Sequence, residues 1–141
     1  MHVVCPHCHR TNRVPAERLH DAPNCGHCKS PLFDGKPVAL DDTNFDRHIG
    51  ADLPVVVDFW AAWCGPCQMM APQFERAAAE LSPAVRLAKL DTEAAQDIAA
   101  RYGIRSIPTL IAFRNGRELA RQAGAMDAAS IVSWVRGVAG A

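Results

Sequence analysis

The sequence is poor in several things, and each shortage removes a class of function. Formal net charge is zero, because 15 Lys/Arg are balanced by 15 Asp/Glu. Such a chain lacks the cationic surplus with which proteins grip the phosphates of nucleic acids. Aromatic residues make up only 6% of it. No basic stripe interleaved with aromatics runs along it, so a nucleic-acid-binding ribbon ranks low. No apolar run approaches the roughly 18 residues of a membrane-crossing helix. The opening His2-Val3-Val4-Cys5 lacks the basic start and apolar stretch of a secretory leader. The expected location is therefore cytoplasmic, with no membrane association. Thiols stay mostly reduced there, so six cysteines need reasons other than structural disulfides.

What is present divides the chain unevenly. Its 141 residues suit one ordinary domain plus a small appendage. Residues 1–36 hold Cys5, Cys8, Cys25 and Cys28, five of the six histidines, and prolines at 6, 15, 23 and 31. No helical or alternating periodicity is convincing there. A segment this short and polar cannot hold a fold unaided, so something must clamp it. Asp34-Gly35-Lys36-Pro37 reads as a linker. The expected organisation is a module at 1–36 and a main domain at 37–141. The three C-x-x-C pairs are the chain's one internal repeat.

From Val38 the pattern alternates strand and helix. Val38-Ala39-Leu40 is a short strand, and Asp42 or Thr43 caps a brief helix through Phe45 and Ile49. Val55–Trp60 is apolar at nearly every position, as expected of a strand covered on both faces. A helix follows from about Gly65 to Leu81, burying Met70, Phe74, Ala77, Ala78 and Leu81, with Pro72 expected to kink it. Val85–Leu90 completes a right-handed βαβ unit. Glu93–Tyr102 is a second helix stopped by Gly103, and Thr109–Phe113 a strand. Asn115-Gly116 predicts a type I′ turn, pairing Glu118–Gln122 back on that strand. A last helix starts near Asp127, with Ile131, Trp134, Val135 and Val138 on its apolar stripe. The fold class is α/β, a mixed sheet with helices on both faces.

Cys5-x-x-Cys8 and Cys25-x-x-Cys28 are sixteen residues apart, a zinc-ribbon spacing. Two such turns can present four thiolates tetrahedrally, and the metal's binding energy then becomes folding energy. Iron is the other metal for such a set. Two non-metal alternatives stand beside it. Pro6-His7 and Gly26-His27 also occur between redox-active cysteines, although neither pair here follows an apolar strand or opens an amphipathic helix. Structural disulfides are disfavoured by the compartment. His7, His9 and His27 are expected on the surface of the turns, not as ligands.

Trp63-Cys64-Gly65-Pro66-Cys67 sits where the apolar strand runs into the long helix. A thiolate at a helix N-terminus meets the positive end of the dipole and free N–H groups. Cys64 is thus the expected nucleophile. Cys67, one turn in and more shielded, is the expected resolving thiol. No histidine lies between them to stabilise the reduced form unusually, so the pair should donate electrons; Pro66 fits the helix start. Asp58 interrupts an apolar strand. Burial should raise its pKa and suit it to accept the Cys67 proton, moderated by Lys89 on the neighbouring strand; the alternative is a structural ion pair with Lys89. Trp60 and Met70 are expected beneath the surface, Trp63 and Met69 upon it. A different class of function is also open: a redox-sensing binding protein whose N-terminal metal thiolates are the working part.

Residues from about Val38 onward resemble the thioredoxin family. The resemblance rests on Asp58-Phe59-Trp60-Ala61-Ala62-Trp63-Cys64-Gly65-Pro66-Cys67 and on Tyr102-Gly103-Ile104-Arg105-Ser106-Ile107-Pro108-Thr109. The four-cysteine prelude is similar to that of the second bacterial type of thioredoxin, which carries zinc. The resemblance implies a thioredoxin fold preceded by a zinc-ribbon-like module with one Zn2+ on Cys5, Cys8, Cys25 and Cys28. It implies that Pro108 is a cis proline facing the dithiol. Trp63, Gly65, Pro66, Ile107 and Gly124 would line a groove for the partner backbone, with Asp58 and Lys89 as the buried acid and its neighbour. The implied activity is general protein-disulfide reduction by a monomer. Disulfide-containing proteins are its substrates, thioredoxin reductase with NADPH restores it, and no tightly bound organic cofactor takes part. The run departs from familiar members at Ala62, where they often carry an acidic residue.

Overall fold

A computed structural model describes residues 1–140. Two short strands, β1 (His2–Val4) and β2 (Thr11–Arg13), open the chain. They pair antiparallel, with His2 opposite Arg13 and Val4 opposite Thr11. Neither was legible in the sequence, because three residues are too few to display a period. A single 3-10 turn, Ala16–Arg18, follows.

The main domain runs β3 (Val38–Leu40), α1 (Phe45–Ile49), β4 (Val55–Trp60), α2 (Gly65–Leu81), β5 (Arg86–Asp91), α3 (Gln96–Arg101), β6 (Thr109–Arg114), β7 (Arg117–Ala123) and α4 (Ala128–Ala139). The five strands lie in the order β3-β5-β4-β6-β7. β5 is parallel to both β3 and β4, whereas β6 and β7 run antiparallel to their neighbours. This is the mixed sheet expected from the sequence. Asn115 and Gly116 both have positive φ, 53° and 78°, which is what a type I′ turn requires. β7 forms one border of the sheet, and almost all of its residues are exposed.

Three details differ from expectation. Neither Asp42 nor Thr43 caps α1; the Asp41 carboxylate instead accepts the N–H groups of Thr43 and Asn44 at 2.8 and 3.2 Å. α3 begins at Gln96, not Glu93, because Asp91 closes a separate turn by accepting the Glu93 N–H at 2.9 Å. β5 is shifted one residue along, to Arg86–Asp91. α2 continues through Pro72 to Leu81.

Each face of the sheet has its own core. Val56, Leu87, Leu110 and Ala112 pack under α2 and α4 with Met70, Phe74, Ile131 and Val135. On the other face, Val57, Phe59, Ile111 and Phe113 meet Phe45, Ile49 and Ile98 from α1 and α3. Residues 1–36 are not coreless: Val3, Cys5, Val14, Cys25 and Leu32 enclose a small cluster completed by Leu53 of the main domain. Scattered apolar residues with no period in sequence are gathered by the two cysteine turns.

The module is docked firmly. Arg47 Nη1 donates to the His9 carbonyl at 2.7 Å, and the His2 N–H donates to Asp52 at 2.7 Å. His9 Nδ1 and His48 Nε2 lie 2.9 Å apart. Phe45 is fully buried, its ring centroid 6.3 Å from Phe59, 5.8 Å from Phe113 and 5.8 Å from Tyr102. Emptying that aromatic nest forfeits burial and leaves a cavity. Phe45→Ala should therefore cost about 3–5 kcal/mol of stability, read as a lower midpoint in chemical denaturation.

Candidate active site and metal centre

The βαβ connection from β4 through α2 to β5 places the redox pair. β4 leaves the sheet at Trp60, and the chain turns over Ala61-Ala62-Trp63 into α2, with Cys64 as its N-cap residue. The Cys64 carbonyl accepts the Gln68 N–H at 3.1 Å, the first bond of the helix. Its sulfur accepts the Cys67 N–H at 3.2 Å. A helix start leaves such amides unpartnered, and a negative sulfur there is held by both the hydrogen bond and the dipole. Pro66 sits in the first turn, where its missing N–H costs nothing. Cys64 and Cys67 are at disulfide distance, their Cα atoms 5.2 Å apart. Closed in this way, they are 4% and 3% exposed. Accessibility therefore does not separate their roles here; position in the helix cap does.

Around them, Ala61 and the partly buried Trp60 and Ile107 form a small apolar shell. The Ile107–Pro108 peptide is cis, and the Ile107 carbonyl oxygen lies 3.7 Å from Cys64 Sγ. Gly124, at φ +96°, donates its N–H to the Pro108 carbonyl at 2.9 Å. Trp63 is 70% exposed, and its indole N–H donates to Glu93 at 3.0 Å. A shallow cleft of about 190 Å³ has Trp63, Thr92, Ala99, Ile104 and Ile107 in its lining. Gly65 and Pro66 lie exposed on the first turn of α2, outside that cleft. Met69 is exposed beside them and Met70 is buried.

Asp58 is buried in the middle of β4. Alternation along the strand puts it on the same face as Val56, under α2. Oδ1 has no hydrogen-bond partner. Burial pushes the carboxyl up to about 7, and the positive charge of Lys89 opposes that rise. Lys89 is directly opposite Asp58 in the β4–β5 register. Its ammonium does not close on the carboxylate but lies 4.4 Å from the Trp60 ring centroid. The cation thus acts on Asp58 as a field, not as an ion-pair partner.

The four N-terminal cysteines converge from two turns of the same design. In each, the N–H groups two and three residues on point at the first sulfur. His7 and Cys8 donate to Cys5 at 3.4 and 3.5 Å, and His27 and Cys28 to Cys25 at 3.3 and 3.5 Å. Each turn then passes through a positive-φ residue, His9 at 62° and Lys29 at 67°. The sulfurs lie within 4.8 Å of one another, with Cys5–Cys28 and Cys8–Cys25 both at 3.6 Å. Zinc–sulfur bonds of about 2.3 Å imply tetrahedron edges of about 3.8 Å, so the donor set fits that metal. All four cysteines are free of disulfides, and neither turn opens an α-helix. Asn12 adds an asymmetry the sequence did not signal. Its amide donates to Cys25 Sγ at 3.4 Å, while its oxygen accepts the Gly26 N–H at 2.8 Å. His7 and His27 are exposed as expected, but His9 is tied to His48.

A mixed sheet with a dithiol at the N-terminus of its long helix and a cis proline beside it defines a dithiol–disulfide oxidoreductase of the thioredoxin fold. The comparisons agree. A family model described as Thioredoxin matches residues 36–137, and one described as Thioredoxin 2, N-terminal, a zinc ribbon, matches residues 4–30. Thioredoxin C-3 of Corynebacterium nephridii is 44% identical over 136 residues, covering 96% of this chain and 93% of that protein. Thioredoxin of Alicyclobacillus acidocaldarius is 47% identical over 87 residues, covering 62% of this chain and 83% of that one. Among solved structures, a mutant thioredoxin from Halobacterium salinarum superposes with a TM-score of 0.68 at 30% identity, covering 75% of this chain and 93% of that one. The chain belongs to the thioredoxin family, and its activity is protein-disulfide oxidoreduction. No described helix is long and apolar enough to cross a membrane.

The raised pKa of Asp58 has a signed consequence. Because it lies above the unfolded-chain value of 3.8, the carboxyl favours the folded state fully below about pH 4, and that contribution is lost as pH rises to about 7. The displacement corresponds to a ceiling on the order of 4 kcal/mol. Asp58→Asn should accordingly stabilise the protein at pH 8 by up to about that amount and have little effect near pH 4, in denaturation curves at the two pH values.

Proposed function

We propose that this chain is a general protein-disulfide reductase built from a redox domain at residues 37–141 and a zinc-binding module at 1–36. Cys64, as a thiolate, attacks one sulfur of a partner's disulfide. A mixed disulfide forms, and the partner's other sulfur leaves as a thiolate. Asp58 in its ionised form accepts the proton of Cys67. The Cys67 thiolate then attacks Cys64 Sγ, closes the Cys64–Cys67 bond and expels the partner's second thiolate. The partner gains two electrons and the dithiol loses two. Lys89 tempers Asp58 so that the carboxyl exchanges its proton near neutral pH.

Trp63, Gly65, Pro66, Ile107, Pro108 and Gly124 form the surface that receives the partner backbone. Thioredoxin reductase, drawing on NADPH, restores the dithiol, and no bound organic cofactor takes part. Cys5, Cys8, Cys25 and Cys28 hold one zinc ion, which cross-links the two cysteine turns and supplies folding energy, not electrons. The protein works as a cytoplasmic monomer. The observation that carries the reading is the Cys64 sulfur, at the cap of α2, receiving the Cys67 amide and lying 3.7 Å from the Ile107 carbonyl.

Insulin-type disulfide reduction by the full chain tests it. Cys64→Ser should abolish turnover, and Cys67→Ser should stall as a covalent adduct with substrate on a non-reducing gel. Asp58→Asn should slow resolution roughly 100-fold above pH 7 while sparing the first attack. Undiminished turnover by Cys64→Ser would overturn the proposal. Elemental analysis after purification under reducing conditions should return one zinc per chain; a metal-free chain would overturn the metal assignment alone.

A further inference from the structure

Arg86 stands at the head of β5, opposite Val55, and is only 5% exposed. Its side chain leaves the redox domain and enters the N-terminal module. Nη2 donates to the Val4 carbonyl at 2.9 Å. The guanidinium carbon lies 5.0 Å from the Phe33 ring centroid, a stacking contact. The Val4 carbonyl belongs to the peptide that carries the Cys5 N–H, so Arg86 grips the chain at its entry into the first cysteine turn. Burial opposes its ionised form, and Asp34, beside the module, favours it. From the redox domain the group that feels its charge is His48, buried and held neutral.

A buried guanidinium is costly unless its donors and charge are matched. Here the carbonyl and the ring that match it come from the module. Four thiolates around a divalent metal would leave two surplus negative charges, and Arg86 is a buried cation that the redox sheet delivers to the carbonyl of the residue just before the first of them. Groups that orient or balance a metal's ligands alter metal retention without touching the metal.

We propose that Arg86 is the positioning residue that couples the metal centre to the redox domain, holding the first cysteine turn and offsetting the thiolate charge. The proposal rests on the zinc assignment above. Linkage makes the coupling reciprocal. Loss of the metal loosens the module and takes from Arg86, at the head of β5, the carbonyl and ring that match it. Loss of Arg86 in turn loosens the metal.

The test uses the full chain. All three tryptophans, Trp60, Trp63 and Trp134, belong to the redox domain, so their fluorescence follows its unfolding and not the module's. Thermal midpoints are recorded with zinc bound and after chelation, for wild type, Arg86→Met and Arg86→Lys. Zinc transfer to a colorimetric chelator is timed in parallel. Chelation should lower the wild-type midpoint, and Arg86→Met should lose most of that decrement while releasing zinc at least about tenfold faster. Arg86→Lys, which keeps the charge but not the planar fork, should release zinc at an intermediate rate. A wild-type midpoint indifferent to zinc would overturn the coupling even if Arg86→Met does not fold. An equal decrement in wild type and Arg86→Met, or equal release rates, would overturn it too. Protein that carries no zinc at all would remove this inference together with the metal assignment, whereas zinc-loaded but uncoupled protein removes this inference alone.

Discussion

The bond from the Cys67 amide to the Cys64 sulfur is the constraint on which the redox site depends. It exists because Cys64, and no neighbouring residue, is the N-cap of α2. That start is enforced from both sides. β4 is buried from Val55 to Phe59 and is locked between β5 and β6, and the chain leaves the sheet after Trp60. Pro66 then admits a helix only at its first turn. A shift of one residue would turn the cap sulfur away from the free amides. Packing of Met70, Phe74 and Leu81 against the sheet fixes the rotation of α2, and thereby where the sulfur points.

Asp58 shows a second use of the same strand. An ionisable group in the middle of β4 is unfavourable to folding, yet burial is what brings its proton exchange to about neutral pH. Lys89 acts from across the ladder without quenching it, because its ammonium rests on Trp60. The stability lost to this carboxylate and the acid–base function proposed for it have a single physical origin.

Most of the redox domain was legible because its elements are long enough to declare a period. β4, α2 and the β6–β7 hairpin fall where apolar spacing and Asn115-Gly116 place them. The first turn of α3 was misread because Asp91 caps a turn that helix propensity cannot see. β1 and β2 were invisible at three residues each. The four-cysteine cluster was legible as a spacing, but not the amide of Asn12 upon it, because that contact spans 13 positions. Arg86 lay in plain view within a predicted strand. A charge in a predicted strand is the signal there, as for Asp58; what the sequence withheld was the module that receives it, 82 positions away.

The border formed by β7 has a bearing on cellular concentration. An open strand is a template on which other chains can polymerise. Here Arg117, Glu118 and Arg121 are set along it, with Arg121 gripping Glu118 at 2.7 Å through two nitrogens. Any second strand laid there would have to strip water from these groups. This rim is chemically unwelcoming to an added strand, so the chain can accumulate without stacking edge to edge on copies of itself.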